Sequence, residues 1–235
     1  MRIARFFVPI ALAGLVLAGC ATKNGGTTPI VPVDNGVKAL SAQEILDKAT
    51  AALNEAGSFH AKGDVTEEGT TISVDLKMKG KDAAGTVGTP DGAVQLLRIG
   101  TDVYFKADAS FWKKFGGAQA DAIAVLFKDK WVKINADSEE FAGFAAMADP
   151  ASLLKPSGTP TKAEEKVVNG QATIGVKDGE NGTVYVATTG KPYPIRMEGL
   201  TGSGAIDFSE FGATFDDIKA PDASQVVDLS ALMPK

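Results

Sequence analysis

Residues 71–79 read Thr-Ile-Ser-Val-Asp-Leu-Lys-Met-Lys, and this stretch decides the fold. Apolar and polar side chains alternate at every step, which places Ile72, Val74, Leu76 and Met78 on one side. Successive side chains of a β-strand point to opposite faces, so this period predicts a strand with one buried and one wet face. That arrangement is typical of antiparallel sheets.

Strands of similar character are predicted in both directions along the chain. The first one upstream, 58–68, is separated from the decisive stretch by a turn at Glu68-Gly69-Thr70. In the predicted strand 93–99 the alternation slips at Leu96-Leu97, which we interpret as a β-bulge. The remaining predicted strands are 81–88, 103–107, 131–134, 165–176, 183–188, 195–200, 204–209 and 214–218.

A helix is predicted immediately before the strands, over Ser41–Ala56. Ser41 and Glu44 form the Ser-x-x-Glu pattern of a capping box, and Gly57 suits the position after a helix end. Two further helical segments are predicted at 110–128, interrupted by Gly116-Gly117, and at 138–148. The mixture of helices and antiparallel strands predicts an α+β fold.

The amino terminus carries the layout of a secretion signal. Arg2 and Arg5 precede an apolar run at 6–17, and Leu17-Ala18-Gly19-Cys20 follows. The run is too short to span a bilayer, which takes about 20 residues. Leu-Ala-Gly-Cys resembles the lipobox of bacterial lipoproteins, which implies a diacylglyceryl group on the Cys20 sulfur and cleavage before it. The alternative is an ordinary signal peptide with a cysteine by chance.

Three segments are therefore expected. Residues 1–19 are the signal peptide, and 20–39, which are rich in Gly, Thr and Pro, are the lipidated cysteine and a flexible tether. Residues 40–235 are expected to form a single lipoprotein domain.

Charge and cysteine content exclude several classes of protein. The chain has 24 basic and 29 acidic residues, and removal of Arg2 and Arg5 with the signal leaves a charge near −7. This balance argues against a nucleic-acid partner and against electrostatic adhesion to anionic lipids. Cys20 is the only cysteine, so no disulfide and no cysteine-based metal site is expected.

Catalytic motifs are missing from the sequence. His60 is the only histidine, so a Ser-His-Asp arrangement would have to be built on it, and an exposed strand histidine is the ordinary explanation. The acidic runs lack the spacing of a calcium loop. No enzyme activity, cofactor or metal is expected. The sequence does contain large apolar side chains, such as Met78, Trp112, Phe141, Phe144 and Met147. They either line a pocket or fill the core between sheet and helices.

Several segments together resemble a family of actinobacterial lipoproteins, LppX/LprA/LprF/LprG, within a wider LolA/LolB-like superfamily. The segments that carry the resemblance are Gly100-Thr101-Asp102-Val103-Tyr104-Phe105-Lys106, Asp129-Lys130-Trp131-Val132-Lys133-Ile134, Thr183-Val184-Tyr185-Val186, Pro194-Ile195-Arg196 and Ile206-Asp207-Phe208-Ser209. One departure is Ser209-Glu210-Phe211, where relatives often have Trp soon after the Ser.

The resemblance implies a curved antiparallel sheet, a half-barrel, with helices covering its concave face. Between sheet and helices it implies an apolar cavity that in some relatives holds acyl chains. The segment 110–128, with its Gly116-Gly117 hinge, would act as a lid. The residues expected to line the cavity are Val65, Ile72, Val74, Leu76, Met78, Val103, Phe105, Trp112, Leu126, Phe141, Phe144 and Met147.

The expected function is a lipoprotein that binds or carries acyl chains of lipid or glycolipid in the cell envelope. It would be a monomer held through Cys20 on the extracytoplasmic side of the cell membrane, with a lipid or lipoglycan as ligand and an envelope transporter as partner. The alternative is a structural or adaptor lipoprotein that binds a protein partner and takes no small-molecule ligand.

Overall fold

The computed structural model describes residues 33–67, 69–90, 92–115, 117–135, 154–179, 182–200 and 202–229. These residues form a sheet of twelve strands. The strands are β1 Ser58–Glu67, β2 Thr70–Lys79, β3 Asp82–Thr89, β4 Gly92–Ile99, β5 Asp102–Ala107, β6 Trp131–Asn135, β7 Pro160–Val168, β8 Gln171–Asp178, β9 Thr183–Ala187, β10 Pro194–Glu198, β11 Gly204–Ser209 and β12 Val226–Asp228.

Two antiparallel meanders make up the sheet. The first runs from β1 to β6 and the second from β7 to β11, with each strand paired to the next along the chain. Antiparallel pairing of β1 with β11 joins the meanders, and β12 returns to lie parallel to β6. The sheet is open, with β12 and β7 at its edges. The predicted α+β fold on a curved antiparallel sheet is confirmed, with this one parallel pair as a difference.

The seam between the meanders depends on glycine. Gly63 of β1 is paired with Ile206 of β11, and Gly204 of β11 is paired with Val65. A Cβ atom on Gly63 would overlap the carbonyl of Ala205, and one on Gly204 would overlap the carbonyl of Asp64. Because neither residue has a Cβ, the two backbones approach closely and the sheet can bend here.

Three helices accompany the sheet: α1 Ala42–Ala56, α2 Ala109–Phe115 and α3 Ala120–Leu126. The predicted capping box of α1 is confirmed. The Ser41 Oγ accepts a hydrogen bond from the Glu44 N–H (3.4 Å), and the Glu44 carboxylate accepts one from the Ser41 N–H (2.8 Å). Gly57 ends the helix in the left-handed conformation, with φ +74°. The predicted helix at 138–148 lies outside the described residues.

We name the two sides of the sheet by their residues. The inner face carries Leu76, Met78, Val103 and Phe105, and the outer face carries their strand neighbours such as Lys77 and Tyr104. The apolar side of α1 packs on the inner face, and the two together form the main hydrophobic core. The core residues of α1 are Ala42, Ile45, Leu46, Ala49 and Leu53.

The segment between β11 and β12, residues 210–225, crosses the outer face, and we call it the strap. The Gly212 N–H donates to the Ser58 carbonyl (2.9 Å). Lys77 Nζ lies 2.6 Å from Asp217 Oδ2, and Lys130 Nζ donates to the Ser224 carbonyl (2.9 Å). The strap is therefore bound in turn to β1, to β2 and to the residue before β6.

The strap explains the broken alternation at Leu96-Leu97. The predicted bulge is wrong, because the pairing of β4 with β3 and with β5 continues without a register shift. Leu96 is buried on the inner face and Leu97 on the outer face, where it borders a groove shared with the strap residues Asp217 and Pro221. Both faces of β4 are thus partly covered. Apolar and polar residues alternate only where one face of a strand is buried and the other is exposed to water, so the alternation fails here.

Three other predictions differ from the structure. The predicted strand 165–176 is the hairpin of β7 and β8, which turns at Asn169-Gly170 with φ +50° and +79°. Asn-Gly is the preferred pair for such a two-residue turn because both positions need positive φ. The predicted strand 214–218 lies in the strap and has no regular structure.

The third difference concerns the predicted tether. Asn35 Nδ2 donates to the carbonyls of Ala187 (2.9 Å) and Gly190 (3.1 Å), and Val37 is a buried core residue. Asp34 also forms a β-bridge with Thr189. Residues 34–39 therefore belong to the folded unit, and any tether ends before them.

Candidate functional site

The inner face is apolar across the first meander. One row of paired inner positions runs through Ala61, Leu76, Gly85, Leu96, Phe105 and Val132. Apart from Gly85, every member of this row is a buried hydrophobic residue. The second meander adds further buried residues to the same core cluster, namely Ile174, Val176, Val184, Val186, Ile206 and Phe208.

Burial falls along β2 from one end to the other. Met78 and Leu76 are fully buried, whereas Val74 and Ile72 are only partly buried. Ile72 is paired with Val65 of β1, which is also partly buried. The inner face is therefore closed near Met78 and reachable by solvent near Ile72.

Helix α1 closes its part of the inner face tightly. Ile45 and Ala49 have no exposed surface, and α1 packs against β1, β7, β8 and β9. A gap of about 50 Å³ remains beside Leu46, bordered also by Leu154, Val176, Val184 and Met197. Such a gap accommodates one or two water molecules and is far too small for a lipid tail.

Helices α2 and α3 lie in the segment that was predicted as a lid, and from here on we use the name lid for residues 109–115 and 117–126. It is seated on the inner face by aromatic contacts. The ring centre of Trp112 lies 5.7 Å from that of Phe105, 5.3 Å from that of Phe111 and 5.1 Å from that of Phe127. No residue of α3 is fully buried, and Val125 and Leu126 are 78 % and 64 % exposed. The lid is thus held by a few rings and not by a continuous apolar stripe.

The indole of Trp112 has an unpaired donor. Its Nε1 atom is buried, and no acceptor for it is found in the part of the chain that the structure describes. A buried donor without an acceptor costs about 1–3 kcal/mol. Among the described residues beneath the lid, the indole N–H is thus a polar group without a partner, and an acceptor placed there would be stabilising.

Asp108 connects the lid to the sheet. Its carboxylate accepts hydrogen bonds from the N–H of Phe111 in α2 (2.9 Å) and the N–H of Ala93 in β4 (3.3 Å). These bonds favour the charged form, and the one from Phe111 contributes most to holding the pKa of the Asp108 carboxyl below its ordinary value. The Asp108 carboxylate therefore links the start of the lid to β4.

The structure separates the twelve predicted cavity residues into groups. Four are fully buried in the main core, namely Leu76, Met78, Val103 and Phe105. Four are partly buried and pack against that core, namely Val65, Ile72, Val74 and Trp112. Phe141, Phe144 and Met147 lie outside the described residues. The structure brings these eight together, seven on the inner face and Trp112 on the lid, but whether they line a ligand site stays a prediction.

Leu126 does not join this group, because its side chain points to solvent. The sequence predicted 110–128 as one interrupted helical segment, whereas a turn of 3₁₀-helix at Gly117–Gln119 separates α2 from α3 and changes the helical phase. Phe127, one residue beyond the end of α3, is buried against Trp112 instead. Phe111 and Ile123 also pack on the core, and their helical spacing was visible in the sequence.

The imidazole of His60 is held between two carboxylates. Its Nε2 lies 2.6 Å from Asp75 Oδ1, and its Nδ1 lies 3.3 Å from Glu210 Oε2. The nearby Ser58 hydroxyl donates to the carbonyl of Ala213 in the strap (2.6 Å) and not to the imidazole. Lys62 and, next, His60 bind the Asp75 carboxylate and lower its pKa. The imidazole thus bridges β1, β2 and the start of the strap.

Metal sites and membrane spans are not found among the described residues. They contain no group of three or more histidine, cysteine, aspartate or glutamate side chains that could hold a metal ion. Among the helices formed by those residues, none is long and apolar enough to span a membrane.

Comparisons with known proteins give matches only among solved structures. No family model matches the chain, and no curated protein matches it. LprF from Mycobacterium bovis is 18 % identical, with 77 % of this chain and 96 % of that chain aligned at a TM-score of 0.46. Lipoprotein LppX from Mycobacterium tuberculosis is 15 % identical, covering 72 % and 92 % at 0.43.

An uncharacterized conserved protein from Thermus thermophilus is also similar, with 12 % identity over 80 % of this chain and 98 % of that chain, at a TM-score of 0.44. The similarity to these structures is too low to assign the chain to a family or to say anything about a ligand.

Proposed function

We propose that this chain is a membrane-anchored lipoprotein of the cell envelope that binds acyl chains of a lipid or glycolipid on the inner face of its sheet. The observation that carries the proposal is the unequal covering of that face. Helix α1 closes its part with fully buried side chains, whereas the lid leaves a buried indole donor unpaired among the described residues. An apolar interior under a loosely packed cover suits a ligand with a hydrocarbon tail.

In this proposal the lid moves when the ligand is taken up. The 50 Å³ gap beside Leu46 has no room for a tail, and the tail would instead take the place of contacts that the lid makes with the inner face. The turn at Gly117–Gln119 is proposed as the point at which the lid bends. Each Å² of tail surface removed from water contributes roughly 25 cal/mol, which offsets the lost lid contacts.

The Trp112 indole supplies a polar contact. An ester carbonyl or a hydroxyl at the head of the acyl chain accepts its N–H, which removes the cost of the unpaired donor. No step here makes or breaks a covalent bond, so the proposed activity is binding and carriage and not catalysis.

The amino terminus supplies the anchor in this proposal. Two acyl chains on Cys20 hold the protein durably on the outer side of the cytoplasmic membrane, since each buried CH₂ contributes about 0.8 kcal/mol. The tether of this proposal ends before Asp34, which is already bound to the folded unit, and it would let the monomer meet both the bilayer and an envelope transporter.

Mass spectrometry tests ligand and anchor together. Under denaturing conditions the purified chain is expected to carry a diacylglyceryl mass that Cys20→Ser removes. Under native conditions a further, non-covalent lipid mass is expected in both proteins. A native mass equal to the denatured mass would contradict lipid binding and would favour the adaptor alternative.

A matched pair of valine substitutions tests where the ligand lies. Val74→Trp, at the partly open end of the inner face, is expected to abolish the non-covalent lipid mass while the chain stays folded. Val176→Trp, at a fully buried position, is expected instead to destabilise the fold by about 1–3 kcal/mol through overpacking. Retention of lipid by Val74→Trp would remove this part of the inner face from the site.

The indole resonances test the polar contact. The chain has two tryptophans, Trp112 under the lid and Trp131 on the outer face. Addition of dioctanoylglycerol is expected to move the Trp112 N–H resonance downfield and to leave that of Trp131 in place. Octane, which has no acceptor, should not cause the downfield shift.

A further inference from the structure

We propose that the outer face of the sheet carries a binding site for a neutral oligosaccharide, in the groove between the strap and strands β3, β4 and β6. This inference goes beyond the proposed function, because the site lies on the opposite side of the sheet from α1 and the lid. It is carried by the volume of the groove and by the side chains that line it.

The groove has the size of a ligand site. Its volume is about 440 Å³, whereas the gap beside Leu46 on the inner face measures about 50 Å³. Small-molecule sites usually occupy about 300–1,000 Å³. Leu97 contributes to the floor of the groove, which Trp131 and the strap residues Pro221 and Gln225 also border. A small ligand can therefore enter this groove without any rearrangement of the fold.

The walls of the groove are held in place. The Asp222 carboxylate accepts the Ser224 N–H (2.8 Å) and begins a turn of 3₁₀-helix that ends at Gln225. Lys106 Nζ lies 5.0 Å from the ring centre of Trp131. The ion pair between the strap and β2, described above, fixes the strap further upstream. Because the walls are pre-formed, a ligand loses little binding energy to ordering them.

The polar side chains of the groove both donate and accept hydrogen bonds. Thr86 and Gln95 are exposed neighbours on β3 and β4, and Gln225 is exposed on the strap. In the described part of the chain, none of these three side chains has a hydrogen-bond partner. A sugar hydroxyl also donates and accepts, so hydroxyl and amide side chains match it in both roles. The Trp131 indole adds a flat apolar surface on which the C–H groups of a sugar ring can stack.

A second depression extends the groove across the outer face. It measures about 370 Å³, and the two depressions share Thr86. Ser73 of β2 borders it, opposite Gly88 of β3. A Cβ atom on Gly88 would lie 2.6 Å from the Ser73 Oγ, so the glycine leaves this hydroxyl uncovered. The two depressions form a track from β1 to β6 that suits several linked sugar rings.

Charge favours a neutral ligand. Two lysines and four aspartates are found among the described residues that line the two depressions, which disfavours phosphates and other anions. Three of the carboxylates, on Asp75, Asp217 and Asp222, already bind a lysine or a backbone N–H. Only a small charge is therefore left to attract a cation.

A peptide fits the groove less well. Extended peptides bind sheets through main-chain hydrogen bonds, but β3 and β4 are each paired with a strand on both sides. Proline-rich peptides dock on grooves lined by several aromatic residues. Trp131 is the only aromatic side chain among the described residues that line this groove. An oligosaccharide needs neither feature.

The test is a titration followed by nuclear magnetic resonance. The chain from residue 20, with Cys20→Ser, is titrated with maltohexaose, cellohexaose, mannohexaose and galactohexaose. At least one of them is expected to move the indole N–H resonance of Trp131 and to leave that of Trp112 in place. The lipid probe described above acts on Trp112 instead, so the two sites are scored separately. No movement of the Trp131 resonance with any of the four at millimolar concentration would overturn the proposal.

Substitutions at the centre of the track locate the site. Thr86→Tyr places a ring where the two depressions meet and is expected to abolish binding, with an unchanged circular dichroism spectrum because residue 86 is exposed. Gln95→Ala is expected to weaken binding about three- to tenfold through the loss of one hydrogen bond. The matched controls, Thr161→Tyr on β7 and Gln171→Ala on β8, change exposed residues away from the track and should bind like the parent. Binding retained by Thr86→Tyr, or lost equally in Thr161→Tyr, would exclude this groove as the site.

Discussion

Helix α1 and the lid both cover parts of the inner face, and they differ in length, capping and burial. Helix α1 has 15 residues, a capping box at its start, a glycine at its end and six buried residues. The lid consists of two 7-residue helices separated by a short turn, and the residue before α3, Gln119, makes no side-chain capping bond. Local stability in proteins is uneven, and moving parts come from its low end. We therefore expect α1 to be the more stable of the two and the lid to open more easily.

The largest expected effect is on stability, and it is tested by comparing one isoleucine of α1 with one isoleucine of the lid. Ile45→Ala removes a side chain with no exposed surface and is expected to lower the free energy of unfolding by about 2–5 kcal/mol. Ile123→Ala, at a partly buried position of the lid, is expected to cost under about 1.5 kcal/mol, because surrounding groups can close the gap. Urea titration followed by circular dichroism measures both. Equal losses would mean that the lid is as tightly packed as α1.

A smaller effect is expected at the two helix starts. Ser41→Ala removes the capping box and should lower stability by about 1 kcal/mol, with faster hydrogen exchange in the first turn of α1. Gln119→Ala removes no capping bond and should change stability by less than about 0.3 kcal/mol. Hydrogen exchange in α3 should already be fast in the parent protein. Slow exchange there would contradict a loosely held lid.

The smallest effect is a pH dependence of the bonds that attach the lid to the sheet. The lowered pKa of Asp108 means that its hydrogen bonds to the lid are present above the unfolded pKa, near pH 4, and are lost as pH falls through the folded pKa. Hydrogen exchange in α2, relative to its intrinsic rate, is therefore expected to accelerate on acidification. Trp112 fluorescence, in a Trp131→Phe background, should change over the same range.

Two aspartates of the lid region serve as variant and control for this pH effect. Asp108→Asn should loosen α2 at neutral pH and remove the acid response, because an amide has no such titration. Asp121→Asn, on α3, should leave the response as it is. An acid response that survives Asp108→Asn would have to come from another group.

Most of the first meander could be predicted from the sequence, because the patterns that specify its strands involve residues close together in the chain. Alternation in β2 and the capping box at Ser41 depend only on near neighbours, and both appear as expected. The Asn169-Gly170 turn was equally local and was overlooked inside a long apolar and polar run. These features needed no knowledge of the rest of the chain.

What could not be predicted depends on distant segments. Leu97 is buried by a strap more than a hundred residues later in the chain, so its neighbours in sequence give no sign of it. Leu126 was predicted to face the cavity and is exposed, whereas Phe127 is buried against Trp112, because a short turn altered the helical phase. The size of the interior gap is set by contacts across the sheet, and no pattern along the chain determines it.

The seam between β1 and β11 has a consequence for how the molecule acquires its fold. Each meander is made of neighbouring strands and needs only short loop closures, whereas the seam joins His60 to Ser209, which is 149 residues later in the chain. Pairings of such separation form slowly, because the chain loses more entropy in bringing its ends together. Until the last strands pair with it, the first meander has an unpaired β1 edge, and an unpaired strand edge is open to aggregation and to binding by a chaperone.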